Sequence, residues 1–453
     1  MYTVDRERLQ ELMTRETEVF VRENPRSLEI YERARGSLLA GVPMNWMQRW
    51  PGGYPIYVTE ASGAHFTDAD GHDFIDLCLG DTGAMTGHSP PAAAAAIAAQ
   101  AANGITTMLP TEDSVPVGEE MKRRFGLPYW QFTLTATDAN RFMIRLARQI
   151  SGRPKVLVFN GCYHGSVDES IARLEDGQVV HKRGSVGPPV HPSLTTRVVE
   201  WNDVDALRRE LEHGDVACVL AEPALTNCGI VLPEPGYHDA LRQITRETGT
   251  ILIIDETHTL CCGPGGYTAE HHLEPDAITM GKPIGSGVPS GAYGVSKDLA
   301  QRINDNTDVV DADVGGVGGT LAGNALSIAA IRATLENVLT EDAFTHMIAM
   351  AERLVAGVQE TIDRRNLPWH VTRLGCRAEY LFQPNRPRTG AEALVTEDQD
   401  LDAFIHLYMM NRGILMTPFH NMVLMCPDTS EADVDKHNEV FEDATTELFQ
   451  GSS

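Results

Sequence analysis

A buried strand that ends in an acid limits the possible folds of this chain more than any other feature. Residues 251–254 read Ile-Leu-Ile-Ile, an apolar run that predicts a strand covered on both faces. Asp255 and Glu256 follow at once, and a second apolar run at 277–280 ends just before Gly-Lys282. An acid and a lysine at the ends of two buried strands are costly unless they are paired or used chemically. The stretch therefore predicts an enclosed sheet with a polar site at the carboxyl ends of its strands.

Strands and helices alternate on both sides of this stretch. Apolar, β-branched runs predict strands at residues 130–134, 155–160, 216–221 and 291–296, and helical patterns lie between them, for example at 237–248. Such an alternation predicts an α/β fold, in which a mostly parallel central sheet carries helices on both faces.

The length of 453 residues exceeds one ordinary domain and predicts at least two. Residues 1–59 are predicted to form a helix and a loop, and residues 60–325 the large α/β domain. Residues 326–453 mix helices with short strands. We expect them to form, together with the N-terminal segment, a smaller α+β domain.

Composition excludes several classes of partner and site. The formal net charge of −26 disfavours binding to nucleic acid and to anionic membranes. No apolar run approaches the ~18 residues that span a bilayer. The eight cysteines include no C-x-x-C pair, and Asp-Ala-Asp-Gly at 68–71 lacks the later glutamate of a calcium loop, so no metal site is predicted. We expect a cytoplasmic location.

Residues 135–140 read Thr-Ala-Thr-Asp-Ala-Asn and lie where a predicted strand turns into a helix. Backbone N–H groups at a helix start, with hydroxyls beside them, suit a bound anion. The same residues are equally typical of a helix cap, with Thr137 or Asp138 as the capping residue. The motif alone leaves anion binding and capping open.

Three further motifs also lie at the end of a predicted strand or at the start of a predicted helix. In Gly-Cys-Tyr-His-Gly at 161–165, Tyr163 could lie flat on a ring and His164 could donate to a ligand, although a tyrosine packed in a turn fits as well. Glu222 follows another strand, and Gly-Gly-Thr-Leu-Ala-Gly-Asn at 318–324 opens a helix. Ligands of open α/β sheets bind at the carboxyl ends of strands. The shared position predicts a single ligand site.

Together these motifs resemble those of class III (ω-type) aminotransferases, which depend on pyridoxal phosphate (PLP) and have fold type I. The chain is most similar to the branch of glutamate-1-semialdehyde aminomutase and the β-amino-acid transaminases, over residues 35 to 445. The matching motifs are D-A-D-G-H-D-F-I-D at 68–76, G-H-S-P at 87–90, G-C-Y-H-G at 161–165, A-E-P at 221–223, I-D-E-T at 254–257, G-K at 281–282 and G-T-L-A-G-N at 319–324.

The resemblance implies roles at the ring of the cofactor. Lys282 would carry PLP as a Schiff base and move a proton between the substrate and the cofactor. Asp255 would pair with the pyridine nitrogen, and Tyr163 would stack on the ring. Glu222 would stand beside the ring hydroxyl, and Thr257 would replace the usual valine beneath the ring.

The resemblance also implies a phosphate site and a homodimer. Thr135, Ala136 and Thr137 would hold the phosphate through backbone N–H groups and hydroxyls, and His164 would complete the cofactor contacts. Thr320 would reach the phosphate of the cofactor in the other subunit, which makes a homodimer the expected active unit.

The chain departs from the family where the substrate would bind. The family S-G-T-E-A is here T-A-T-D-A, and the substrate loop at 42–50 is rich in tryptophan and methionine. The candidate substrate contacts are Asn45, Trp46, Arg49, Asp81, Met85 and Arg377. Arg377 could bind a carboxylate or phosphonate as a fork, or form a surface salt bridge with Glu379 or another acid.

Three functions remain open on the sequence. The first is an aminotransferase that moves an amino group between an amino acid or amine and a keto acid. The alternative is a PLP-dependent ammonia-lyase, phospholyase or aminomutase acting on a small amino alcohol or aminophosphonate. The third, a binding protein without catalysis, conflicts with the intact Asp255 and Lys282.

Overall fold

The computed structural model describes residues 4–308, 311–395, 398–418 and 420–449, and the chain divides into two compact units. The terminal unit comprises Met1–Pro90, Asp342–Arg386 and Thr396–Ser453. The central unit comprises Pro91–Glu341 and Pro387–Val395.

Strands and helices alternate through the central unit and are mixed in the terminal unit. The strands are β1 (Val58–Ser62), β2 (His65–Asp68), β3 (Asp73–Asp76), β4 (Tyr129–Thr133), β5 (Lys155–Phe159), β6 (Ala172–Glu175), β7 (Gln178–His181), β8 (Thr196–Val199), β9 (Val216–Ala221), β10 (Ile251–Asp255), β11 (Ala277–Met280), β12 (Gly291–Val295), β13 (His370–Leu374), β14 (Arg377–Leu381), β15 (Ile414–Leu415) and β16 (Met422–Leu424). The α-helices are α1 (Arg6–Glu23), α2 (Pro25–Ala34), α3 (Pro91–Asn103), α4 (Ser114–Phe125), α5 (Ala136–Ser151), α6 (Val204–Leu211), α7 (Tyr237–Thr248), α8 (Gly266–Glu270), α9 (Lys297–Asn306), α10 (Ala325–Asn337), α11 (Glu341–Arg365), α12 (Gly390–Leu394), α13 (Gln399–Met410) and α14 (Glu431–Leu448).

The central unit is built on a seven-stranded sheet with the order β4-β12-β11-β10-β9-β5-β8. Strand β12 runs antiparallel to both neighbours, and the other pairs in the sheet are parallel. The predicted α/β fold with a mostly parallel sheet is therefore confirmed. Every residue of β10 is buried, as its unbroken apolar run predicts. The edge strand β8 was not predicted, because four residues carry little periodicity.

The terminal unit has two smaller sheets, β1-β2-β3-β15 and β13-β14-β16. An aromatic and aliphatic core cluster packs in this unit and comprises Phe20, Tyr54, Phe66, Phe74, Leu407 and Met410. The N-terminal helical stretch, predicted as one helix, is two helices. Pro25 begins the second, because its ring cannot occupy the interior of a continuous helix.

The compact units differ from the predicted domain boundaries at 59/60 and 325/326. Residues 60–90 lie in the terminal unit because β3 pairs with β15, which joins the start of the chain to its end. Residues 326–341 lie in the central unit, where α10 packs on α3 and α4. Both reasons are contacts between distant segments, and local sequence patterns do not report such contacts.

Length and apolar character together decide whether a helix can cross a membrane. Among the helices formed by the described residues, none combines enough of both to do so.

Candidate active site

Two neighbouring strands bring the acid and the lysine to the same end of the central sheet. Strands β10 and β11 are parallel, and Asp255 is the register partner of Thr279. Lys282 follows three residues after Thr279, just beyond the end of β11. Parallel strands end at the same side of a sheet, where α/β proteins bind their ligands.

Asp255 is buried and accepts hydrogen bonds on both carboxylate oxygens. Its Oδ2 accepts from Asn140 Nδ2 at 2.9 Å and pairs with His164 Nδ1 at 2.8 Å. Its Oδ1 accepts from the backbone N–H and the hydroxyl of Thr257, at 3.0 and 2.6 Å. Burial alone would favour the neutral acid, but these partners, His164 first, lower the pKa of Asp255 to about 2. The site therefore holds a buried carboxylate in its charged form.

His164 is the cation that balances this charge. Burial disfavours a charged imidazole, but the charge and hydrogen bond of the Cys162 sulfur, together with the Asp255 carboxylate, outweigh it and raise the pKa of His164 to about 10. Asn140, on helix α5, is fixed from its other side by the Thr279 hydroxyl, which donates to its Oδ1 at 2.6 Å. Asn140 was not predicted from the sequence; the available signal was a polar residue on the apolar, core-facing side of a helix.

The turn that carries Lys282 is tight and strained. Lys282 has φ of +50°, a left-handed conformation that is rare in residues with a side chain. A Cβ on the preceding Gly281 would lie 2.9 Å from the backbone nitrogen of Ala136. Glycine is therefore required here, because the lysine turn lies against the first residue of helix α5. Lys282 Nζ lies 2.7 Å from His258 Nε2, a contact that was not predicted from the sequence.

Helix α5 begins at the predicted anion motif. The capping residue is Thr135, whose hydroxyl accepts from the backbone N–H of Asp138 at 3.1 Å, so the alternative caps Thr137 and Asp138 are wrong. Ala136 and Thr137 lie in the first helical turn, where free N–H groups and the helix dipole favour an anion. A Cβ on Gly165 would come within 2.0 Å of Thr137 Oγ1, so only glycine lets the 161–165 loop approach this turn.

The 161–165 loop is joined to the end of β9. The backbone N–H of Tyr163 donates to Glu222 Oε1 at 3.3 Å, and the Tyr163 side chain is 51% exposed. Glu222 Oε2 accepts from the backbone N–H of Thr226 at 3.1 Å and from its hydroxyl. Burial raises the pKa of Glu222, although His164 and Thr226 oppose the shift. The loop thus presents an accessible aromatic ring beside a buried acid.

Comparison with known proteins identifies the family. The family model described as aminotransferase class-III matches residues 47–444. The chain belongs to the class III aminotransferases.

Several members of this family are similar over almost their whole length. A crystal structure of a glutamate-1-semialdehyde aminomutase from Pseudomonas aeruginosa PAO1 is 51% identical, covers 99% of this chain and 100% of its own, and has a TM-score of 0.97. A glutamate-1-semialdehyde 2,1-aminomutase from Desulfitobacterium hafniense is 30% identical over 91% of this chain and 96% of its own length. An omega-transaminase from Sphaerobacter thermophilus is 28% identical, covers 93% of this chain and 97% of its own, and has a TM-score of 0.83.

This class III aminotransferase is a PLP-dependent enzyme, and its central unit fits that cofactor. A helix start suits the phosphate, a charged carboxylate suits a protonated ring nitrogen, and a lysine stands on the neighbouring strand end. The expected PLP dependence is confirmed by the family and by a structure of the P. aeruginosa protein in complex with PMP. The roles of the individual residues remain predictions.

The predicted substrate residues of this class III aminotransferase lie in the terminal unit. Asn45 and Trp46 belong to a short 3-10 helix, Asn45–Gln48, and Arg49 follows it. Asp81 lies in a turn, at residues 79–82, where four consecutive residues have positive φ. Such backbone strain is concentrated at functional sites, which favours a role for this turn.

Met85 and Arg377 lie inside the terminal unit. Met85 is buried, and its sulfur lies 3.8 Å from Cys376 Sγ. Arg377 is buried on β14 and forms an ion pair with Glu379 at 3.6 Å. The predicted partner is correct, but the alternative of a surface salt bridge is wrong, because both side chains are fully buried. The forked contact of Arg377 with a substrate anion stays a prediction.

Thr320 lies in the central unit, on the segment between helices α9 and α10. Its side chain is exposed, and Asn324 caps helix α10 four residues later. An exposed position is compatible with the predicted contact to a second subunit, which stays a prediction.

Proposed function

We propose that this protein moves an amino group between an amino acid or amine and a keto acid, with Lys282 as the covalent anchor of PLP. The observation that supports this proposal is the buried Asp255, whose pKa is held at about 2 by His164, Thr257 and Asn140. A carboxylate that stays charged in a buried site suits a cationic ring nitrogen above it.

When bound, PLP withdraws electrons from the substrate carbon that carries the amino group, so that a proton there can be removed. Asp255 keeps the ring nitrogen protonated, and the charged His164 stabilises Asp255 from behind. The amine of Lys282 takes the proton from the substrate carbon and returns it at a different atom. The first turn of α5, with Thr137, holds the phosphate, and Tyr163 covers one ring face.

A second candidate is an internal amino shift on a single substrate molecule. It is favoured by the 51% identity to the P. aeruginosa protein and the 30% identity to the D. hafniense protein, both described as glutamate-1-semialdehyde aminomutases. The two reactions use the same proton chemistry at Lys282. They differ in whether the keto product leaves before the amino group is returned.

We also infer an active homodimer in a reducing, cytoplasmic compartment. Support for the dimer is the exposed Thr320 beside the start of helix α10, at the position where the family motif contacts the other subunit. Support for the compartment is that all eight cysteines are free thiols.

The attachment of PLP is tested by reduction with borohydride and peptide mass mapping. The adduct should lie on Lys282, and Lys282→Ala should lose it. Lys297→Ala is the matched control, since Lys297 is an exposed lysine of the same unit at the start of α9. A wild-type protein that binds PLP without labelling Lys282 would contradict the proposal.

The reaction is tested by adding an amino donor without a keto acceptor and following the absorbance of the cofactor. Amino transfer predicts stoichiometric conversion to the pyridoxamine form, which a keto acid then reverses. An internal shift predicts turnover of glutamate 1-semialdehyde without any acceptor. Catalytic release of ammonia would reject both candidates in favour of elimination.

A further inference from the structure

A histidine that the family resemblance did not single out contacts the anchor lysine. His258 Nε2 lies 2.7 Å from Lys282 Nζ. His258 is buried, with 5% of its surface exposed, and Lys282 is half-buried. A buried imidazole at hydrogen-bond distance from the reacting nitrogen is placed to take part in the chemistry of that nitrogen.

The N···N contact needs one donor and one acceptor. A lysine ammonium group only donates, so His258 Nε2 must then carry no proton. A His258 ring protonated on Nε2 must instead face a neutral Lys282 amine. Two cations at this distance would repel each other. The contact therefore holds one hydrogen between the two nitrogens and disfavours the state in which both groups are cations.

Glu256 holds the segment that carries His258. One oxygen of the buried Glu256 carboxylate accepts from the Thr259 hydroxyl at 2.5 Å and from the backbone N–H of Tyr267 at 3.1 Å. The other accepts from the backbone N–H of Thr268 at 2.5 Å. These bonds tie the residues on both sides of His258 to helix α8. The backbone segment that carries the imidazole is thus held in place by the protein itself.

We propose that His258 is a catalytic proton carrier that accepts the ammonium proton of Lys282 and later returns it. In this step an N–H bond at Nζ breaks, an N–H bond at Nε2 forms, and the positive charge moves to the imidazole. No electron is transferred and no further reactant is needed. The resulting amine is free to attack the PLP aldehyde or to take a proton from the substrate. The inference rests on the proposed role of Lys282 as the anchor.

The test measures how fast the full-length apoprotein captures added PLP on Lys282, by borohydride quenching and mass mapping at pH 7. His258→Gln keeps a polar side chain that can accept a hydrogen bond from Lys282 but cannot carry the proton away; His258→Met removes both properties. Both variants should capture PLP roughly 100-fold more slowly, which is the low end of what a positioned acid or base contributes. The control is His437→Gln, which replaces a fully buried histidine of the terminal unit and should capture PLP at the wild-type rate.

The outcomes are distinguishable. A glutamine variant as fast as wild type would overturn the inference, because a hydrogen bond that merely positions Lys282 would then suffice. Wild-type rates in both variants would overturn it as well, and would leave the proposed function intact. Labelling of a residue other than Lys282 in the wild type would overturn the proposed function itself, and this inference with it.

A measurement on the wild type alone keeps the inference testable if the variants do not fold. An amino donor deuterated at the carbon that carries the amino group is converted without an acceptor, and the deuterium transferred to the former aldehyde carbon of the pyridoxamine form is counted. Lysine acting alone would return about one third of the label, since an ammonium group carries three hydrogens. A second carrier that exchanges its hydrogen with water predicts transfer of well below one third, and transfer of a third or more would overturn the inference.

Discussion

Replacing Asp255 by asparagine exchanges one atom of a buried side chain and should destabilise the apoprotein by about 3 kcal/mol at pH 6. The pKa of this acid is lowered from an ordinary value near 3.9 to about 2, and a shift of about 2 units corresponds to roughly 2–3 kcal/mol of stability. The hydrogen bonds lead to a similar figure. An amide can still accept from Thr257, but its NH₂ group meets the donors of Asn140 and His164, and each unsatisfied buried donor costs about 1–3 kcal/mol. The two figures describe the same contacts and are not added.

The assay is urea unfolding of the full-length apoprotein, followed by the fluorescence of its tryptophans at pH 6. The contribution of a carboxyl with a lowered pKa is complete above its unfolded pKa and disappears as the pH falls toward 2. The gap between wild type and Asp255→Asn should therefore be constant from pH 5 to 6.5 and should shrink below pH 4.

Asp402 offers a matched control. Burial raises its pKa to about 7, and it accepts from Asn421 Nδ2 at 2.8 Å, so at pH 6 it is mostly neutral and resembles an amide. Asp402→Asn should change stability by less than about 1 kcal/mol. The same small effect for Asp255→Asn would refute the reasoning that the site holds a charged carboxylate.

Three further predictions follow from the contacts. His164→Gln should destabilise the apoprotein most at pH 6 and progressively less as the pH rises toward 10. The pKa of His164 is raised in the folded protein, so the charged imidazole adds stability at low pH, and this stability is lost as the pH rises toward the folded pKa. Thermal unfolding at pH 6 and 9.5 measures the change. Gly281→Ala should lower the free energy of unfolding in urea by about 1–3 kcal/mol, and the variant should retain PLP less well on dialysis. Retention of PLP equal to that of the wild type would argue against the close approach of Gly281 to α5. Glu379→Gln should lower the free energy of unfolding by about 3–5 kcal/mol, because it removes the carboxylate charge that faces the buried Arg377. The double change Arg377→Met with Glu379→Leu should recover most of that loss, and failure to recover it would count against the ion pair as the cause.

Local patterns were enough for much of the central unit. Apolar runs predicted β10 and the parallel sheet, because a strand buried on both faces has to be apolar throughout. The strand-end motifs predicted the cluster around Asp255, because parallel strands bring their carboxyl ends to one side of the sheet. Both inferences need only residues that are close in the chain and a rule about how sheets are built.

Other features arise from contacts between residues far apart in the chain. Asn140 donates to Asp255, 115 positions away in the chain. Strand β3 pairs with β15, more than 300 residues away, and this pairing places residues 60–90 in the terminal unit and not in the predicted large domain. The left-handed turn at residues 79–82 is likewise a backbone conformation that the residue types at these positions do not predict.

By itself, the sequence determined the α/β class, the family, the PLP dependence and the pair of strand ends that carries Asp255 and Lys282. The reason is that the periodicity of apolar residues and the short motifs can be read from residues that are close together in the chain. Only the tertiary structure decided that His164 and Asn140 hold Asp255 in its charged form, and that His258 contacts Lys282. Charge state and proton exchange depend on burial and on distances of a few ångströms, and these exist only once the chain has folded.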